Sequence, residues 1–212
     1  FLARRLLEDG GGPALLAGLV YMAAPTFQAH LAGGHAGLLV GWPLPLYAWA
    51  LLRLREKSAP RRALLAALLF FLSTNGHILQ MIYAVLPVTA AVGLLLLWRR
   101  EWRALAWSIA AAGMGAVALA LFLLPVLRET FGTAAYTGEG GFVRYSADLL
   151  ALVTPSFLHP LYGALDYPRR VLGVNLEEGT LYVGVVAGTL ALIGAWAWPR
   201  ARAATRAMSA NR

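Results

Sequence analysis

Apolar residues along the chain gather into six long segments, which are separated by short polar and charged stretches. A bilayer core of about 30 Å requires about 20 helical residues, and most of the segments approach that length. The pattern therefore predicts an all-α fold: a polytopic transmembrane helical bundle with about six membrane segments and one long extracytoplasmic loop. The segments are 13–30, 35–54, 62–74, 77–98, 103–127 and 179–198.

These segments divide the chain into three parts. Residues 1–127 are expected to form five membrane helices with short loops, and residues 179–212 the last membrane helix with a basic cytoplasmic tail. The intervening residues, 128–178, form an extracytoplasmic loop that is long for a simple connection, and long loops usually carry function.

Within the loop, Ser146 is expected to cap a short helix over residues 147–153, whose leucines favour the membrane surface. An extended, rigid turn over residues 154–160 follows and carries His159. Two prolines at the outer ends of segments, Pro25 and Pro125, are expected to end their helices.

Composition agrees with a membrane protein. Of the 212 residues, 59% are hydrophobic and only 13% are charged, whereas soluble domains average about 45–50% and about 25%. This excludes a typical soluble enzyme. The net charge of +8 is explained by Lys and Arg in cytoplasmic loops, so no nucleic-acid partner is expected. The absence of cysteine excludes disulfides and thiolate metal sites.

The distribution of basic residues predicts the orientation. If both termini are cytoplasmic, fourteen of the 18 Lys and Arg residues lie on the inner side, as the positive-inside rule requires. The outer side then receives six of the ten acidic residues and only four arginines. These outer arginines are Arg128, Arg144, Arg169 and Arg170.

The segment 62–74 is the weakest of the six because it is short for a membrane helix. Two passes that meet at the favoured turn Asn75-Gly76 keep both flanking basic clusters on the inner side. A re-entrant hairpin satisfies the same charges, since irregular backbone is tolerated at membrane depth when protein or water covers it.

Candidate ligand-binding residues gather on the predicted outer side, where all four histidines fall. A candidate rim for phosphate groups or sugar hydroxyls lies where the outer helix ends meet, and it consists of Gln28, His30, His35, Asn75 and His77. His159, in the rigid turn of the long loop, is a further candidate. The alternative is that helix ends at the water interface are polar in any case. A metal site needs at least three converging ligands, and no recognised ligand spacing occurs, so none is predicted. The four histidines are His30, His35, His77 and His159.

Charged residues of the outer loop supply the remaining candidates. Arg144 and Arg169 are the best anion ligands, because guanidinium binds phosphate through two parallel hydrogen bonds. Glu139, Asp148 and Glu178 are weak candidates for a catalytic base, since sequence spacing alone does not place them near a substrate. No Ser-His-Asp arrangement, P-loop, GxGxxG or HExxH motif occurs in the sequence.

Several short stretches together resemble bacterial multi-pass membrane proteins of the glycosyltransferase C superfamily. They are YMAAP at 21–25, HLAGGH at 30–35, WPLPL at 42–46, PSFLHP at 155–160 and, shortly after Glu178, YVG at 182–184. The resemblance covers about residues 1–200 and implies a place in the bacterial cytoplasmic (inner) membrane. It also implies a polyprenyl-phosphate-linked sugar as donor at the outer face. Other membrane subunits are the expected partners if the chain is instead an accessory subunit.

In that superfamily the catalytic acid usually lies in the first outer loop, but the turn over residues 25–35 contains no Asp or Glu. Either the catalytic loop lies upstream of Phe1, and the chain is the C-terminal part of a longer transferase, or the chain is a relative without activity. In both cases we expect the chain alone to be inactive. The sequence leaves the cofactor open; Mg²⁺ or Mn²⁺ is a candidate if the chain acts as a transferase. Two alternatives remain: a non-enzymatic accessory subunit of a membrane complex, and a flippase-like lipid carrier.

Overall fold

Every regular element is helical within the residues that the computed structural model describes, which are 2–3, 11–35, 39, 41, 43–75, 81–132, 148–173, 176 and 179–210. The all-α prediction is therefore confirmed for this part of the chain. Its helices are α1 (Gly12–Met22), α2 (Pro25–Ala32), α3 (Pro43–Glu56), α4 (Pro60–Thr74), a π-helical turn (Met81–Val85), α5 (Leu86–Trp98), α6 (Trp102–Gly132), a 3₁₀ helix (Leu149–Leu152), α7 (Asp166–Leu172) and α8 (Val185–Ala210).

Among the described residues, three helical stretches are long and apolar enough to cross a membrane. The first combines α1 and α2 over Gly12–Ala32, the second runs from Met81 to Trp98, and the third is Trp102–Glu129 within α6. A shorter apolar helix, Val185–Ala197, forms the first half of α8. By length and composition, these helices indicate that the protein is associated with a membrane.

Two predicted membrane segments correspond to shorter helices. Helix α3 has 14 residues and α4 has 15, which gives lengths of roughly 21 and 22 Å at 1.5 Å per residue. Both are shorter than a typical bilayer core. Helix α4 ends at Thr74, and the backbone N–H of Asn75 donates to Phe71 O. The helix therefore ends beside Asn75, the first residue of the predicted turn, whereas Gly76 lies outside the described residues.

The two prolines that were expected to end helices behave differently. Pro25 begins α2, after a break at Ala24 that separates it from α1. The prediction for Pro125 was wrong, because this residue lies inside α6 and the helix continues to Gly132. A proline removes a single backbone hydrogen bond, and helices in an apolar setting tolerate that loss. The helix thus extends into the predicted outer loop.

The chain divides into two compact units. The first comprises Phe1–Leu19 and Gly34–Glu139, and the second comprises Val20–Gly33 and Gly140–Arg212.

Helices α3 to α6 build the core of the first unit. Tyr47 of α3 is fully buried, and its hydroxyl lies 2.8 Å from Thr89 Oγ1. The Tyr47 ring meets Phe70 of α4 edge to face, with 5.7 Å between ring centroids. Buried Ser73 and Ser108 donate to carbonyls four residues earlier, which satisfies their hydroxyls inside an apolar core.

An ion pair links two turns at one end of the first unit. Arg55, near the end of α3, donates through Nε and Nη2 to the two carboxylate oxygens of Glu101, each at 2.7 Å. These hydrogen bonds hold the pKa of Glu101 below its usual range and raise the pKa of Arg55. The pair therefore joins the α3–α4 turn to the α5–α6 turn as a charged, bidentate contact.

The second unit contains α2, the 3₁₀ helix, α7 and α8. Thr154 and Thr180 are fully buried, and each hydroxyl donates to the carbonyl four residues earlier at 2.7 Å. The 3₁₀ helix lies against α7 and leaves Leu149 84% exposed. An exposed leucine at this position agrees with the short helix expected in this stretch of the outer loop.

Candidate ligand-binding site

A compact turn in the second unit positions a histidine. Ser156, which is buried, accepts a hydrogen bond at Oγ from the backbone N–H of Leu158, and its carbonyl accepts one from His159 N. Gly163 N donates to His159 O at 2.7 Å and closes the turn. A Cβ at Gly163 would lie 2.1 Å from Phe157 O, so only glycine fits this close approach.

The same turn determines how His159 presents its ring. Its Nδ1 accepts hydrogen bonds from the backbone N–H groups of Leu161 and Tyr162, at 3.2 and 3.3 Å. An imidazole nitrogen that accepts carries no proton, so the ring proton lies on Nε2. The ring also packs against Tyr162, with 4.8 Å between centroids. His159 therefore offers an N–H donor beside an aromatic surface.

This histidine faces a cleft of about 630 Å³ that lies wholly within the second unit. The cleft is lined by Ala23, Pro25, Gln28, Ser156, Leu158, His159, Tyr162, Tyr182, Gly184, Val185 and Val186. Its polar side chains are an amide, an imidazole and three hydroxyls. No lining residue is charged. Such a site matches neutral hydroxyl-bearing ligands and presents an apolar wall beside them.

Tyr182 lies where the chain enters α8. Its hydroxyl oxygen accepts from Val185 N at 2.8 Å, which satisfies one of the free N–H groups at the start of that helix. The phenolic O–H keeps its donor capacity. Gly184, with φ +94, adopts a backbone conformation that L side chains rarely adopt, and this bend brings Tyr182 beside the apolar start of α8.

The structure brings together two of the ligand-binding residues that the sequence predicted. Gln28 and His159, 131 positions apart in the sequence, line the same cleft. His30 belongs to the last turn of α2 and does not line it, and His35 belongs to the first unit. His77, Arg144, Glu139 and Glu178 lie outside the described residues.

Two of the charged candidates, Asp148 and Arg169, belong to the described residues, and neither of them lines the cleft. Asp148 Oδ1 accepts from Leu150 N at 2.7 Å and caps the 3₁₀ helix, a role that the sequence assigned to Ser146, which lies outside the described residues. Arg169 lies on α7 beside Arg170, which pairs with Asp166 one turn earlier. The carboxylate of Asp148 thus has a local structural role.

Sequence reasoning did not predict three polar residues that line the cleft: Ser156, Tyr162 and Tyr182. Ser156 and Tyr162 flank His159 within the same turn, and their proximity to a predicted site residue was the only available signal. Tyr182 lies near the start of the last predicted segment, where aromatic residues are common at membrane interfaces and do not by themselves indicate a binding site. Its place in the cleft depends on the bend at Gly184.

The described residues do not fit Mg²⁺ or Mn²⁺. No group of three His, Asp or Glu side chains converges anywhere in this part of the chain. These ions prefer several oxygen ligands, above all carboxylates, and the cleft lining contains none.

The helices and the cleft define a class: an all-helical, membrane-associated protein with a mainly apolar cleft that carries neutral polar groups. The whole chain, residues 1–212, matches one family model, described as a domain of unknown function (DUF6311), and the protein belongs to that family. No curated protein and no solved structure matches the chain.

Proposed function

We propose that this protein is an integral membrane protein of six segments, with both termini in the cytoplasm of a bacterial cell, that holds a lipid-linked sugar at the outer face. In this proposal it forms part of a glycosyltransferase of the glycosyltransferase C type, and its donor is a polyprenyl-phosphate sugar. The short helices α3 and α4 and the apolar half of α8 supply the three segments beyond the three long ones.

The observation that carries the proposal is the mixed character of the cleft. Gln28, Tyr182 and the Nε2–H of His159 supply donors and acceptors for sugar hydroxyls. Val185 and Val186 form an exposed apolar wall at the start of an apolar helix, where a lipid chain would be shielded from water. A polar head group joined to a long apolar chain matches both surfaces at once.

The phosphate of the donor requires a cation, and the cleft lining has none. We therefore retain Arg144 and Arg169 as the proposed phosphate ligands. Arg169 is exposed on α7, and its side chain pairs with no acid among the described residues. Guanidinium fits phosphate better than an ammonium group does, because it donates two parallel hydrogen bonds.

The residues that line the cleft also support a second candidate function. Sugar transfer needs a carboxylate to activate the acceptor or stabilise developing charge, and none lines the cleft. This favours a role in which the 212 residues bind the lipid-linked sugar without transferring it, as an accessory subunit or a flippase-like carrier. In either case the chain alone is expected to be inactive.

The test measures binding of polyprenyl-phosphate hexose to the purified full chain in nanodiscs, with sugar-free polyprenyl phosphate for comparison. The variant Gln28→Ala/His159→Asn removes two neutral donors from the cleft. Asn can still accept the turn's hydrogen bonds in place of Nδ1. Because each neutral hydrogen bond contributes about 1 kcal/mol, we expect roughly 30-fold weaker binding of the sugar-bearing lipid.

The matched control is Tyr167→Phe, which removes a hydroxyl from the same unit outside the cleft lining and should leave binding unchanged. Binding of the sugar-free lipid should respond to Arg169→Ala and only weakly to the cleft variant. Equal affinity of the native chain for both lipids would contradict a sugar site. Sugar transfer by the native chain in the presence of Mg²⁺ or Mn²⁺ would exclude the purely binding role.

The six-segment topology is tested with single cysteines in this Cys-free chain. An impermeant maleimide added to intact cells should label Gly138→Cys and Leu161→Cys, which lie on the proposed outer side. It should label Lys57→Cys only after the cells are opened, since that position lies in the basic inner loop. Labelling of Lys57→Cys in intact cells would reverse the proposed orientation.

A further inference from the structure

A second cleft, in the first unit, lies between the turn that joins α3 to α4 and the turn that joins α5 to α6. It has a volume of about 780 Å³ and carries four cationic and two anionic side chains. No role was assigned to it on sequence grounds beyond the general excess of basic residues in inner loops. Its lining residues are Arg55, Glu56, Lys57, Ser58, Arg100, Glu101, Trp102, Arg103 and Ala104.

Both acids of this cleft already have partners. Glu101 binds Arg55 through two hydrogen bonds of 2.7 Å. Glu56 lies 3.4 Å from Arg53 and 3.3 Å from Arg62, neither of which lines the cleft. The acids therefore do not neutralise the other cations of the lining.

Three cations remain: Lys57, Arg100 and Arg103. Each is exposed, and none of their side chains has a hydrogen bond or an ion pair among the described residues. Three unpaired cations around one cleft raise the local concentration of anions. The cleft therefore has the charge of a site for an anionic ligand.

The backbone at Arg100 strengthens this assignment. Glu101 N donates to Leu96 O and Arg100 N donates to Leu97 O, which is the Schellman pattern at the end of a helix. In this motif the residue after the helix end adopts the left-handed conformation and is usually glycine. Here that residue is Arg100, with φ 57. An arginine here is strained, and such strain is concentrated at functional sites.

The turn with Arg100 joins two helices that are long and apolar enough to cross a membrane. In the topology proposed above, on which this inference rests, the turn lies where those helices leave the bilayer, and the cleft lies at the depth of lipid head groups. Trp98 and Trp102 flank the turn and are 82% and 60% exposed. Exposed tryptophans at helix ends favour the boundary between lipid and water.

From these observations we propose that the basic cleft binds the phosphate of an anionic phospholipid head group. Lys57, Arg100 and Arg103 would hold the phosphate oxygens, and Trp102 would lie beside the glycerol and the upper acyl chains. Basic clefts between membrane helices on the cytoplasmic side are suited to such head groups. The ion pair of Arg55 and Glu101 holds the two turns together and thus sets the spacing of the cations.

The test measures lipid binding to the purified full chain by native mass spectrometry and by thermal unfolding in nanodiscs of phosphatidylglycerol or phosphatidylcholine. The native chain should retain phosphatidylglycerol preferentially and unfold at a higher temperature in its presence. Arg100→Gly is the decisive variant, because glycine relieves the backbone strain. It should weaken phosphatidylglycerol binding roughly five-fold, while the variant in phosphatidylcholine nanodiscs unfolds at the same or a higher temperature than the native chain.

Lys57→Gln should also weaken binding roughly five-fold. The matched control is Arg61→Gln, which removes one charge from the first turn of α4 without touching the cleft lining and should change binding little. An equal loss with Arg61→Gln would show that only total charge matters and would overturn the proposal, as would unchanged binding by Arg100→Gly. Stabilisation by inorganic phosphate equal to that by phosphatidylglycerol would overturn the lipid assignment.

Discussion

Gly163→Ala should destabilise the protein by about 3 kcal/mol and abolish ligand binding by the first cleft. A Cβ here would lie 2.1 Å from Phe157 O and 2.7 Å from His159 O. Both neighbours are backbone atoms, so no side-chain rotation relieves the contact, and the cost lies at the upper end of that for overpacking. The turn would have to open, which would displace His159 from its hydrogen bonds to Leu161 and Tyr162.

The measurement is thermal unfolding of the purified chain followed by tryptophan fluorescence, together with binding of the lipid-linked sugar. Gly188→Ala is the control, because it adds the same methyl group in the same unit, inside α8, with no atom within 4 Å of the new Cβ. It should change stability by less than about 1 kcal/mol. Native-like unfolding and binding by Gly163→Ala would show that the turn is not packed as described.

Gly115→Ala should destabilise the first unit by about 2 kcal/mol. Its Cβ would lie 2.7 Å from three atoms of Phe70, including Cβ, which rotation of the ring cannot move away. Phe70 in turn packs against Tyr47, whose hydroxyl contacts Thr89. The added methyl group therefore forces α4 and α6 apart and disturbs the contact of Phe70 with Tyr47 of α3.

Gly113→Ala is the matched control, two residues earlier in the same helix and with no atom within 4 Å. Because alanine favours the helix more than glycine does, it should leave stability unchanged or raise it by up to about 1 kcal/mol. Equal stability of the Gly115→Ala and Gly113→Ala variants would contradict close packing between α4 and α6.

The sequence predicted the helical elements well where apolar runs were long. The segment 103–127 lies within α6, and the segment 77–98 contains the π-helical turn and α5. The predicted helix boundaries were less accurate at prolines. A proline removes one backbone hydrogen bond, but this loss does not determine whether the helix continues beyond it. Pro25 begins a helix and Pro125 lies within one, and their neighbours in the fold make the difference.

The candidate site was predicted in part. Gln28 and His159 were singled out because their chemistry suits sugars and phosphates, and they do share a cleft. The sequence did not show which of the other polar candidates, such as His30 and His35, lie outside this cleft. Nothing in the sequence pairs α2 with the turn at His159, because that pairing depends on how residues more than a hundred positions apart pack.

By itself, the sequence determined that the protein is helical and apolar and where its positive charge is concentrated, because periodicity, segment length and charge are local properties of a chain. Only the tertiary structure decided which polar groups meet. The turn that Gly163 closes places the Nε2–H of His159 at one cleft. At the other cleft, Glu101 pairs with Arg55, which leaves three cations of the lining unpaired: Lys57, Arg100 and Arg103. Such convergence depends on distances across the fold, and spacing along a chain does not specify them.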